Sequence, residues 1–84
     1  MAETKQYNFV ARLQTESRGG KVVTLIDDLP KQEIFLRDLA AELKKKCGSG
    51  GTYDLRGKEG RIEIQGDKRD MIRALLEKKG INVK

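Results

Sequence analysis

Phe35-Leu36-Arg37-Asp38-Leu39-Ala40-Ala41-Glu42-Leu43-Lys44-Lys45-Lys46-Cys47-Gly48 is the stretch that decides the fold. Phe35, Leu36, Leu39, Ala40, Leu43 and Cys47 share one side of a 3.6-residue period, which predicts an amphipathic helix of roughly four turns. Asp27 or Asp28 is the expected N-cap, with Pro30 in the first turn. Glu33 near the start and Lys44-Lys45-Lys46 at the end suit the helix dipole, and Gly48 is the stop. An apolar stripe of this kind has to be covered, and the flanking sequence offers strands to cover it.

Upstream, Tyr7 to Gln14 alternates, with Tyr7, Phe9, Ala11 and Leu13 on one face. Thr15 to Gly20 is a turn signal ending in Gly19-Gly20, and Lys21 to Ile26 is β-branched and apolar. These two segments predict a hairpin with a basic, glycine-rich tip. Downstream, Thr52 to Arg56 and Arg61 to Gln65 flank Gly57-Lys58-Glu59-Gly60 as a second hairpin, with Ile62 and Ile64 on one face and Glu63 on the other. Asp67 is the expected cap of a second helix, with Asp70 completing a loose capping box. Met71, Ile72, Leu75 and Leu76 are its expected buried stripe, Gly80 ends it, and Ile81 to Lys84 is a short last strand.

The order is ββαββαβ. The expected fold class is α+β: a two-layer α/β sandwich with two helices on one face of a mostly antiparallel sheet. Residues 1–6 are expected to be a flexible N-terminus and 7–84 a single domain, because 84 residues leave no room for two cores. Leu36, Leu39, Leu43, Ile72, Leu75 and Leu76 are the expected core.

The formal net charge is +5, and its surplus comes from two places. Ser17 to Ile26 carries Arg18 and Lys21 with no acid, and Asp67 to Lys84 carries six bases against three acids. A basic surplus of this kind favours an anionic partner, nucleic acid foremost. With one cysteine and no histidine, neither an internal disulfide nor a four-ligand zinc site is expected. No apolar run approaches the roughly 20 residues of a membrane helix, so a cytoplasmic protein with no membrane partner is expected.

Catalysis finds little support. The carboxylates are scattered along helices and strands, and no serine or cysteine sits in a nucleophile elbow, so no enzyme activity, catalytic residue, metal or cofactor is expected. Gly48-Ser49-Gly50-Gly51 follows a helix and enters a strand, the wrong polarity for a phosphate loop. Lys44-Lys45-Lys46 alone reads as a solvated helix end; beside a basic hairpin tip it reads as an RNA-backbone contact. Arg18 and Lys21 flank two glycines, which suits a phosphate contact and equally a soluble turn. Lys68 and Arg69 stand where the helix dipole disfavours cations, which leaves them available for RNA while Asp67 does the structural work. With four aromatics and no Trp, base stacking is a poor fit. Shape and backbone recognition of folded RNA is the expected mode.

Three segments carry a family resemblance: Arg12-Leu13-Gln14 with Arg18-Gly19-Gly20-Lys21 and Val23-Thr24; Leu39 through Gly48; and Ile62-Glu63-Ile64-Gln65-Gly66-Asp67-Lys68-Arg69. Together they resemble the translation initiation factor 1 family of the eukaryotic and archaeal type, including its bacterial YciH-like members. The resemblance covers about residues 10–84. It implies a two-layer α/β fold and binding to the small ribosomal subunit and its rRNA near the P site, through the basic first hairpin loop and the first helix. It implies a role in rejecting wrong start codons and badly placed initiator tRNA, with other initiation factors as partners. Carried over, the RNA-binding positions are Arg18, Lys21, Lys44, Lys45, Lys46, Lys68 and Arg69, on a protein expected to be a monomer. Ser49 stands where many bacterial members have a second cysteine, which removes any paired-cysteine role. The alternative is a ribosome-associated or protein-interaction regulatory module without a role in start-site choice.

Overall fold

The structure, a computed structural model, describes residues 9–84. The expected flexible segment 1–6 and the expected strand start at Tyr7 lie outside them. The elements are β1 (Val10–Arg18), β2 (Lys21–Leu29), α1 (Glu33–Cys47), β3 (Gly51–Asp54), β4 (Gly60–Gln65), α2 (Arg69–Lys78) and β5 (Asn82–Val83). They form one mixed sheet in the order β3-β4-β2-β1-β5, antiparallel throughout except for the β1–β5 pair. Helix α1 packs on β3 and β4, α2 packs on β1 and β5, and the helices touch each other. This is the expected α+β order.

The first hairpin is longer than its composition suggests. Pairing runs without a break from Arg12↔Asp27 to Arg18↔Lys21, so Thr15 to Arg18 belongs to the strand and the turn is Gly19-Gly20 alone. Both glycines have positive φ, 53° and 84°, as a two-residue turn matching the strand twist requires.

Cross-strand register sorts the side chains. Leu13, Ile26 and Ile62 stand side by side under the helices, as do Thr15, Thr24 and Ile64. Ile26, Ile62 and Ile64 join Leu36, Leu43, Ile72 and Leu76, all fully buried, in one core with Leu39, Ala40, Cys47 and Ile81 around them. The other face carries Arg12, Gln14, Glu16, Arg61 and Glu63, by alternation along β1 and β4. Val23 and Leu25 on that face are nonetheless 9% and 4% exposed. Their register neighbours there are long polar residues, Glu16 and Gln65 for Val23 and Gln14 and Glu63 for Leu25.

Four expectations need correction. Asp27 and Asp28 do not cap α1; both lie in β2. The Asp27 carboxylate accepts hydrogen bonds from Gln14 and Arg61 on the neighbouring strands, so the strand runs on through it. A register shift between Ile26 and Leu29, with Asp28 at φ 64°, absorbs the change of direction. Pro30 therefore precedes the helix, whose N-cap is Gln32 with no side-chain cap. The N-cap position of α2 is Lys68, without a cap from its own side chain, and Asp67 stands one residue earlier, where its carboxylate still accepts the Arg69 N–H at 3.4 Å. Met71 is 47% exposed and Leu75 only half-buried, because Ile72 and Leu76, one turn apart, face the sheet and Met71 is turned well away from that line.

Candidate nucleic-acid interface

Strand direction places the basic segments. β1 ends and β2 begins at the Gly19-Gly20 turn; β4 ends and β3 begins at the same end of the sheet, since Val23 pairs with Gln65 and Gly51 with Ile64. The hairpin tip, the end of α1 and the start of α2 therefore share one rim. Backbone bonds join them: Gly66 N–H donates to Val22 O at 2.7 Å, and Gln65 N–H to Gly50 O at 2.9 Å. Gly51 makes the approach of α1 possible. A Cβ there would lie 2.5 Å from Glu63 O and 3.3 Å from Lys44 Cγ, so the Lys44 stem rests against the strand start.

The α2 start is held from across the sheet. The fully buried Thr24 hydroxyl donates to Gly66 O and accepts the Lys68 N–H at 2.9 Å. It works beside Asp67, whose carboxylate accepts the N–H of Arg69, the first residue of α2, at 3.4 Å. Thr24→Val keeps the shape and removes both bonds, leaving a carbonyl and an N–H unpaired in the loop that carries Lys68. A loss of about 1–3 kcal/mol is expected. Urea unfolding checks it, and an unchanged midpoint would mean the hydroxyl holds nothing.

The rim's cations fall into two groups. Lys44, Lys45 and Lys46 are all exposed, as is Lys21, while Lys68 is half-buried. Among the described residues none of these five lysines has an ion pair. Lys68 is close enough to α1 for its charge to oppose, in part, the rise that burial causes in the Cys47 thiol pKa. The two arginines are paired. Arg69 Nε lies 3.0 Å from Asp67 Oδ1, and this contact holds the Asp67 carboxyl below its usual range. Arg69 thus has the stabilising partner that sequence reasoning did not find. Arg18 binds two carboxylates, Glu63 at 2.9 Å and Glu16 at 2.9 Å, and both strengthen its hold on its proton. The expectation of a tip without neighbouring acid is corrected by Glu63, which reaches Arg18 from β4.

Sequence reasoning gives Glu63 no role at the hairpin tip and Thr24 none at the start of α2. The alternation of β4 does put Glu63 on the face opposite Ile62 and Ile64, but its partner is 45 residues away. Of the aromatics, Phe9 and Phe35 stack edge to face with centroids 6.0 Å apart, and the Tyr53 hydroxyl donates to Glu33. Among the described residues no group of three metal-ligating side chains occurs, and no helix is long and apolar enough to cross a membrane.

Comparison with known proteins gives a consistent result. A family model described as translation initiation factor SUI1 matches residues 9–82. The chain is 58% identical over 71 residues to the uncharacterized protein YciH of Salmonella typhimurium, covering 84% of this chain and 62% of that protein. It is 40% identical over 77 residues to a protein translation factor SUI1 homolog of Sulfolobus acidocaldarius, covering 92% and 74%. It is 46% identical over 69 residues to a protein translation factor SUI1 homolog of Methanopyrus kandleri, covering 81% and 61%. The chain spans about 62% of the length of the YciH proteins it matches.

Proposed function

Because this chain belongs to the SUI1 translation initiation factor family, we propose that it binds the small ribosomal subunit through the basic rim and promotes correct selection of start codon and initiator tRNA. The observation that carries this reading is the gathering of Lys21, Lys44, Lys45, Lys46 and Lys68 at one end of the sheet, without carboxylate partners among the described residues. Unpaired lysines on a backbone held by hydrogen bonds suit phosphate groups fixed in folded rRNA. They neutralise charge and release counterions, and they demand no particular base. The packed Phe9–Phe35 pair and the engaged Tyr53 fit a surface that reads shape more than stacked bases. In this reading the protein is a cytoplasmic monomer without catalytic activity, acting alongside other initiation factors. It excludes badly placed tRNA by occupying the subunit near the decoding site.

Co-sedimentation with purified small subunits at two salt concentrations tests the binding, and start-site choice on messages with good and poor start codons tests the role. Binding that falls steeply with salt, with better rejection of poor start codons, is the expected result. Salt-sensitive binding with unchanged start-site choice would favour a ribosome-associated regulatory module. Absence of binding would overturn the proposal.

A further inference from the structure

Arg18 is the one cation of the hairpin tip whose guanidinium is already occupied. Its Nε and Nη2 donate to Glu16 Oε1 at 3.1 and 2.9 Å, and its Nη1 and Nη2 donate to the two oxygens of Glu63 at 2.9 and 3.2 Å. A guanidinium has five N–H groups, so a single Nη1 hydrogen is left. Two carboxylates around one cation make this cluster net negative by one charge. A phosphate arriving there would meet an acidic patch and would have to displace a carboxylate. The Glu63 side chain is 17% exposed and would be left poorly solvated by that exchange. Lys21, the register partner of Arg18 across the turn, has no ion pair among the described residues.

The cluster has a mechanical consequence. β4 pairs with β2 only as far as Val23↔Gln65, so Ser17 to Val22 overhangs the sheet. The Gly66–Val22 backbone bond ties one side of the overhang. Arg18 ties the other, reaching past β2 to Glu63 on β4. We infer that Arg18 is a positioning residue: its bridge to Glu63 fixes the hairpin tip so that Lys21 meets the phosphate, and Arg18 itself is not a phosphate ligand. This rests on the rim's binding rRNA as proposed above.

The test uses the full chain and purified small subunits, with affinity measured across roughly 50 to 200 mM salt and hydrogen exchange of the Ser17–Val22 amides followed in parallel. Arg18→Glu places three carboxylates together; it is expected to speed exchange at the tip and weaken binding about tenfold. Adding Glu63→Arg restores the same charges with the pair reversed. The swap is expected to return slow exchange, affinity and salt slope to wild-type values although position 18 is now acidic. Lys21→Ala is expected to lower the slope by about 0.7–0.9 with exchange unchanged. A swap that restores slow exchange and still binds as weakly as Arg18→Glu would overturn the inference. If the swap leaves exchange fast, Glu16→Gln with Glu63→Gln, which leaves Arg18 no carboxylate partner, decides. A slope steeper than wild type by about 0.7–0.9 would show the freed Arg18 taking up a phosphate and overturn the inference, and a slope no steeper upholds it. Wild-type protein that does not bind the subunit would overturn the functional reading and this inference with it.

Discussion

Alanine at Lys21, Lys44, Lys45, Lys46 and Lys68 together is expected to weaken small-subunit binding by roughly 10³-fold at about 0.15 M salt and to remove most of its salt dependence. Each phosphate contact contributes a slope of about 0.7–0.9 in log K against log salt, which is on the order of fivefold per contact at that salt, and five contacts multiply. Lys44, Lys45 and Lys46 also complement the carbonyl end of α1, so the variant should lose about 1–2 kcal/mol of stability and still fold. Net charge alone would fall from +5 to 0 by the loss of five lysines, so a matched control is needed. Lys31, in the β2–α1 connection, and Lys58, in the β3–β4 turn, lie at the other end of the sheet. Their double alanine variant should bind nearly as wild type, whereas Lys45→Ala with Lys46→Ala should not. Equal losses in the two pairs would show that overall charge, and not the rim, drives association.

Leu39→Ala is expected to cost about 2–5 kcal/mol, through lost transfer free energy and the cavity left under α1. Leu39 is 4% exposed and belongs to the single core that joins both helices to the sheet. For a domain of this size such a loss is a large fraction of its total stability. Met71→Ala is the informative partner. Sequence periodicity puts Met71 in the buried stripe, but its 47% exposure predicts a change within about 0.5 kcal/mol. Urea unfolding of the two variants checks both figures, and a Met71 cost comparable to that of Leu39 would contradict the orientation of α2.

The two helical stripes, two hairpins and last strand were readable because each depends on residues within a turn or a pleat of one another. Glycine at 19–20, 48 and 80 marked the breaks for the same local reason. The basic segments were readable as composition. The two aspartates expected as caps part company in the structure. Asp27 satisfies the local rule for an N-cap but found a better partner in Arg61, 34 residues away, whereas Asp67 accepts both the N–H and the side chain of Arg69 from one place before the cap. A carboxylate takes the cation it can reach, and for Asp27 that reach is set by the sheet.

Periodicity, composition and motif resemblance are thus enough to give the elements, their order, the α+β class, the family and which segments are basic. Tertiary structure alone decided that these segments share one rim, because strand order and register carry residues 18–21, 44–46 and 68–69 to the same end of the sheet. It also decided which rim cations are unpaired. Arg18 and Lys21 look alike in sequence, but cross-strand geometry places Glu63 over one and leaves the other in water. Pairing across a sheet depends on register between distant segments, and a shift of one residue would turn Glu63 to the opposite face.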